Sequence, residues 1–260
     1  MSELSESDLR NALKSVGLED GDSVLVHSSL YRLGRIEGVK IDEMPEVVTD
    51  ILLDILGPNG GIYVPTFTFS FCDGEAFDIR STPSEMGVLS EYIRQHKDSI
   101  RSPHPMQSIA GIGHRAEETC KRDTRTAYSA DGPIKHLYDW GAKVLCLGVP
   151  FMSSPLHFVE EQCEVPYRYW KEFEGEYTDR SGETRVATYE MYVRDLDLYP
   201  TVEEDIVKNN MSEDEIKKET IGSSQVISFT FEDHFRIAFD LVRDDPFALV
   251  SEMNESSNDE

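Results

Sequence analysis

A histidine with carboxylates three and four places after it, just beyond a strand end, has the makings of a proton-transfer site. The stretch "SSPLHFVEE" (153–161) supplies it, following "KVLCLGV" (143–149), which reads as a fully buried strand. With Ser154 as N-cap and Pro155 at the first helical position, His157 falls in the first turn of a helix. The positive end of that helix favours a neutral imidazole, the state a general base requires. Glu160, one turn on, is placed to orient the ring or to bind substrate. Two other readings fit the same residues: a histidine packed into a core helix, or a metal ligand beside Glu160 or Glu161. No second histidine stands at helical spacing to complete a metal pair.

Two further stretches have polar groups at element ends. In "VLVHSSLYRLG" (24–34) a strand breaks into His27, Ser28 and Ser29, offering successive N–H groups and two hydroxyls as a cradle for an amide or phosphate. In "RSPHPMQSIAGIG" (101–113) prolines bracket His104 in an extended loop, with Arg101, Ser102 and Ser108 positioned to meet phosphate or carboxylate. A simple polar turn and a rigid connection are the plainer readings of the two. The chain has no Walker loop, no GxGxxG after the first strand and no GxSxG elbow, which removes the usual support for phosphoryl transfer, Rossmann redox chemistry and serine hydrolysis.

The elements that must carry these residues alternate. A short amphipathic helix over 7–16 precedes a strand in "DSVLVHSSL"; "MPEVVTDILLDILG" is a helix stopped by Gly57 and Pro58; "GIYVPTFTF" is a strand broken at Pro65. A helix over 86–96 capped by Ser84, a short strand in "SIAGIG", a helix over 133–140 and the strand 143–149 follow. Strands alternating with helices predict a layered α/β domain around a largely buried sheet. From 166 to 230 the pattern turns aromatic, charged and partly period-two, predicting added strands on the sheet edge. Thr230 and Asp233 cap a last helix whose Phe235, Ala238, Phe239 and Leu241 are expected to face the core. The expected organisation is one domain over 1–250, with an acidic excursion at about 165–230, and a disordered acidic tail over 251–260.

The formal net charge of -25, from 50 acidic against 25 basic residues, argues against wrapping nucleic acid or an anionic membrane, and the acid excess is greatest in the C-terminal third. It fits a solvated acidic face, including one adapted to high salt, or a field that attracts a cationic substrate. Four scattered cysteines without a CxxC pair suit a reducing compartment, and the absence of a leader pattern or a long apolar run suggests a cytoplasmic protein.

Taken in order, "VHSSL…G", "GGIYVPTFTF", "FDIRSTPSEMGVLSEYIR", "RSPHPMQSIAGIG", "LYDWGAKVLCLGV" and "LHFVEEQCEVPYRY" resemble the aminoglycoside 3-N-acetyltransferase family. The resemblance implies a three-layer αβα sandwich around a mixed sheet, with acetyl-CoA or another acyl-CoA as donor. It also implies direct attack of an amino-sugar nitrogen on the thioester, without a metal or a covalent enzyme intermediate. By position it assigns His157 as the catalytic base and Glu160 as its acidic partner. It assigns Val26, His27, Ser28, Ser29, Thr66, Arg101, Ser102, His104 and Ser108 to coenzyme binding, and Asp197, more loosely, to the cationic sugar. The tetrahedral oxyanion would be met near Ser28 and Ser29. The implied acceptor is the 3-amino group of an aminoglycoside; a nucleotide-linked amino sugar or another small biosynthetic amine, and a non-catalytic or metal-binding homologue, are the alternatives. Acidic residues of the excursion suit a polycation, whereas Arg168, Lys171, Arg180 and Arg185 are the cations a diphosphate would need. Tyr167, Tyr169, Trp170 and Phe173 suit either a pocket wall or a homodimer contact.

Overall fold

The computed structural model describes residues 3–152 and 154–251. Its frame is a seven-stranded sheet built from β1 (Ser23–Ser28), β2 (Gly61–Pro65), β3 (Ile100–Arg101), β4 (Ile109–Gly113), β5 (Lys143–Leu147), β8 (Ile216–Ile221) and β9 (Ser224–Thr230). The strand order is β8-β9-β5-β1-β2-β4-β3. The three central strands β5, β1 and β2 run parallel, and an antiparallel pair flanks them on each side. The sheet is therefore mixed, as the resemblance implied.

Alternation along β1 decides what each face receives. Val24 and Val26 point to one side, where Ile62, Val64, Leu145 and Leu147 join them beneath α1 (Glu6–Ser15), α2 (Met44–Leu56) and α3 (Val88–Gln95). Leu25 points to the other side, with Tyr63, Val144 and Cys146, under α4 (Pro133–Asp139), α5 (Pro155–Gln162) and α6 (Phe231–Asp244). These are the three layers. The same period puts His27 on the α5 side. Among the described residues no helix is long and apolar enough to cross a membrane.

The excursion meets expectation only in its last part, where β8 and β9 form the outer strands on one side of the central sheet. Its long hairpin, β6 (Arg168–Thr178) and β7 (Thr184–Arg194), does not extend the central sheet; it pairs with the short strand Phe77–Asp78 as a separate three-stranded sheet. It has its own core, in which Phe173, Tyr177, Tyr189 and Met191 meet Phe71, Phe77 and Met106. A hairpin with one apolar face needs a single cover, and the 67–82 connection supplies it. The edge of the central sheet is β8 instead.

Smaller corrections follow from capping. Helix α3 starts at Val88 after Gly87, and the Ser84 hydroxyl accepts from Met86 N–H rather than capping it. Ser154 precedes α5 without a capping bond, because its N–H and hydroxyl turn to His27. Thr230 does cap α6, accepting from Asp233 N–H. The buried face of α6 is Phe231, His234, Ile237, Ala238 and Val242, while Phe239 is exposed. Of the expected face, Ala238 is buried and Phe235 and Leu241 pack partly buried against the core, while His234 adds to it. Of the tail expected from 251, Ser251 pairs with Thr201, and 252–260 lie outside the described residues.

His234 is buried against Phe151 and Phe229 with no partner for either ring nitrogen, and burial pushes it down to about 3. The unfolded chain binds this proton near the ordinary histidine value, so the stability tied to the neutral ring is present above that value and is lost as pH falls. His234→Phe removes that loss. Between pH 7 and pH 5 the variant should lose up to about 2 kcal/mol less stability than the native chain, measured by urea denaturation at the two pH values. A second expectation concerns Gly148, just past β5, with φ +72° and a would-be Cβ only 2.5 Å from the Ser29 carbonyl oxygen. Gly148→Ala should cost about 1–3 kcal/mol, seen as a lower urea midpoint with an unchanged slope.

Candidate active site

The parallel strands β1, β2 and β5 end on one side of the sheet, and a cleft of about 610 Å³ opens there. His27, Ser28, Ser29, Pro65, Val149 and His157 are among its lining residues, with Glu85 and Glu204 supplying carboxylates. His27 is nearly buried, its Nε2 3.3 Å from Ser154 N and 3.4 Å from Ser154 Oγ. Burial, reinforced by His157, lowers its pKa to about 4, so it is neutral at pH 7. The Ser29 N–H donates to Leu147 O, which leaves the hydroxyls of Ser28 and Ser29 as the polar groups this turn presents.

His157 is the third residue of α5, one-third exposed, its ring edge-on to Tyr128 at 5.5 Å. Its Nδ1 lies 2.7 Å from Oε2 of Glu160, which is fully buried. Two more groups converge on that carboxylate: Arg168 Nη2 donates to Oε2 at 2.8 Å and Tyr167 OH donates to Oε1 at 3.0 Å. Burial alone would raise the Glu160 pKa, but the hydrogen bond and charge of His157, followed by the charge and hydrogen bond of Arg168, outweigh it and the net shift is downward. An ionised Glu160 accepts Nδ1–H, and His157 itself lines the cleft. Glu161 turns away to accept from Thr126 Oγ1 at 2.7 Å, and burial raises it to about 7. Among the described residues no group of three His, Cys, Asp or Glu side chains converges to hold a metal ion.

The other expected coenzyme residues lie elsewhere. Arg101 is buried: Nε donates to Ser108 Oγ at 2.9 Å, Nη1 to Thr82 O at 2.5 Å and Nη2 to Thr66 O at 2.8 Å, while its guanidinium sits over Phe77. Burial lowers it to about 9. Thr66 and Ser108 bond to each other at 2.9 Å, and the Ser102 hydroxyl accepts from Ile109 N–H. His104 accepts from Gln107 N–H on Nδ1 and donates from Nε2 to the Glu190 carbonyl, with burial lowering it to about 4. These five side chains are internal ties at the sheet edge, of which His104 alone bonds to the hairpin, and none of them lines the cleft. Proline bracketing signalled a rigid loop correctly, but its polar groups face inward because the hairpin covers them. Val26 is core, and Asp197 lies in an exposed turn with its N–H on Asp195 Oδ1. Of the site residues expected from sequence, the cleft gathers His27, Ser28, Ser29 and His157, with Glu160 directly behind.

Sequence reasoning missed Arg168 as a partner of Glu160, having considered it only as a cation for a diphosphate. It also missed Arg32 and Lys218. Both line a hollow of about 520 Å³ that shares Arg32, Val149 and Pro150 with the cleft, and neither side chain has an acidic partner among the described residues. No local signal marks Lys218, since it reaches this place through β8.

The sequence profile of aminoglycoside 3-N-acetyltransferases matches residues 25–243. Aminoglycoside N(3)-acetyltransferase III of Salmonella sp is 28% identical over 204 residues, covering 71% of this chain and 70% of that protein. Among solved structures, AAC-IIIb in its binary complex with CoASH superposes with a TM-score of 0.81 at 22% identity, covering 94% of this chain and 97% of the other. AAC-VIa bound to sisomicin superposes with a TM-score of 0.78 at 20% identity, over 94% and 98%. The structural likeness shows a shared fold, and the profile covers most of the chain, with the cleft histidine and its buried glutamate inside the matched span. This chain belongs to the aminoglycoside 3-N-acetyltransferase family.

Proposed function

We propose that this protein transfers an acetyl group from acetyl-CoA, or another acyl group from its CoA thioester, to an amino group of a cationic amino sugar, the 3-amino group of an aminoglycoside in the first instance. The observation that carries this reading is His157 at the cleft with its Nδ1 held by buried Glu160, the arrangement in which a neutral ring keeps the Nε2 lone pair to take a proton. His157 accepts a proton from the attacking nitrogen as the C–N bond forms, and the C–S bond then breaks as that proton passes from His157 to the sulfur, releasing CoA as its thiol and restoring the imidazole. General-base help of this kind is worth roughly 10²- to 10⁴-fold. The hydroxyls of Ser28 and Ser29 serve as donors to the tetrahedral oxyanion.

The acid excess of the chain and the carboxylates Glu85 and Glu204 at the cleft favour a cationic acceptor. A nucleotide-linked sugar is disfavoured by the state of the cations it would need. Arg168 is bonded to Glu160, Arg180 to the carbonyls of Arg101 and Cys120, and Lys171 and Arg185 lie over Phe173 and Tyr177. The anionic end of the donor is better matched by Arg32 and Lys218, in the hollow that continues the cleft, than by the Arg101 loop.

Release of free thiol from acetyl-CoA should follow addition of one or more amines from a panel of aminoglycosides and nucleotide amino sugars, and no release together with no CoA binding would overturn the reading. His157→Ala should lower kcat at least about 10²-fold with CoA affinity nearly unchanged, measured by the same assay and by calorimetry. Arg32→Ala and Lys218→Ala should each raise the KM for acetyl-CoA about tenfold or more. They should leave turnover of an acetyl-pantetheine thioester, which lacks the nucleotide phosphates, unchanged.

A further inference from the structure

Glu160 is held by three donors, from α5, from the turn after it and from β6, and one of them is a permanent cation. Arg168 opens β6, immediately after the turn that follows α5, and its side chain is 9% exposed. Nη2 reaches Glu160 Oε2 at 2.8 Å and Nη1 reaches the Tyr192 carbonyl of β7 at 2.9 Å, so the guanidinium fork is fixed at both tips. Nη2 is also 3.1 Å from His157 Nδ1. That contact does not make Nδ1 an acceptor: an unprotonated Nδ1 would face the carboxylate lone pairs at 2.7 Å. Both nitrogens are donors converging on one oxygen, and the cation is thereby pressed against the imidazole.

We propose that Arg168 is a positioning residue of the His157–Glu160 pair: it holds the carboxylate in the orientation that receives Nδ1–H and offsets its charge, so that the imidazole stays neutral and keeps Nε2 toward the cleft. The catalytic half of this statement rests on the reading of His157 as the base. Glu160 without Arg168 would be an uncompensated anion beside the ring and would favour the imidazolium, which cannot accept a proton. With Arg168 in place the carboxylate still orients the ring, while its pull on a proton at Nε2 is reduced. A lysine would keep the charge but, as a single compact ammonium, would not span Glu160 and the Tyr192 carbonyl with one planar fork.

The surroundings of His157 leave few other groups to set this balance. On its own helix Glu161 is turned to Thr126. From β1, buried His27 is neutral at pH 7. Tyr128 packs edge-on with its hydroxyl buried, Tyr167 donates to Glu160, and burial raises both phenols far above neutral pH. Arg194 of β7 acts on both Glu160 and Arg168 from behind and donates to the Pro200 carbonyl, and Glu204 lines the open side of the cleft. Glu160 and Arg168 are the charged groups bonded to or touching the ring.

Two substitutions separate charge from geometry while each keeps a donor in place. Arg168→Gln removes the cation, and Arg168→Lys keeps it. In a histidine-selective 15N NMR titration, Arg168→Gln should raise the His157 titration midpoint by roughly one pH unit and Arg168→Lys should leave it near the native position. The acid limb of kcat/KM should move in parallel. Arg168→Gln should also lower kcat about tenfold or more with the KM for acetyl-CoA changed little, and Arg168→Lys should recover part of the rate. Because Arg168 positions the ring through Glu160, adding Arg168→Gln to Glu160→Gln should lower the rate no more than about twofold further. An unchanged midpoint in Arg168→Gln, or full additivity in the double variant, would overturn the proposal and leave Arg168 as a tie between α5 and the hairpin. The titration needs no turnover, so a native protein that transfers no acyl group but shows the midpoint shift would refute the acyltransfer reading alone.

Discussion

A carboxylate with no solvent exposure is tolerated only when its charge and lone pairs are met, and Glu160 is such a carboxylate. Its donors come from separate parts of the chain: His157 from the same helix, Tyr167 and Arg168 from the start of the hairpin. The requirement that all three converge fixes the end of α5 against the hairpin. Val165 N–H returns to Glu160 O, and the Tyr192 hydroxyl donates to Val165 O, closing the turn between them. A residue that at first glance only orients an imidazole therefore joins two layers of the structure that share no strand.

The sheet provides the other half of the site. Because β5, β1 and β2 are parallel, their ends fall together, and the chain leaves each of them over the same cleft. Period-two alternation sends Leu25 and His27 to the α5 side, which puts His27 beneath the start of α5 and draws Ser154 out of its capping role. The uncapped start of α5 is a local cost accepted for a contact between strand and helix. Gly148 permits a second close approach, of the chain after β5 to the turn at Ser29 and Leu33, since any Cβ there would collide with the Ser29 carbonyl.

Charge is distributed with similar economy. In a chain with twice as many acids as bases, most arginines and lysines are bound to carboxylates, carbonyls or rings, and this includes the buried Arg101 that looked, by its loop, like a phosphate ligand. Burial beside carbonyls makes Arg101 a structural staple. Arg32 and Lys218 gain significance from the contrast, because among the described residues they have no acidic partner in the hollow beside the cleft. The acid excess meanwhile lies mostly on exposed positions, where it shapes the field around the molecule more than any single contact.

What the sequence determined by itself is what depends on neighbours along the chain: the strand and helix periods, the Thr230 cap, the start of α5 at Pro155, and a histidine one turn from Glu160. The ordered set of motifs extended this to the family, to the mixed sheet in three layers, and to His157 and Glu160 as a pair. Tertiary structure alone decided which polar groups face the cleft and which face inward. The 101–108 loop turned inward because a separate hairpin sheet covers it, and the period-two texture of 168–194 cannot say which sheet its strands join. Arg168 met Glu160, and Lys218 came to line the same hollow as Arg32, through turns and strand order that no spacing encodes. Local pattern is set by backbone geometry, whereas the partner of a long side chain is set by which distant element packs over it.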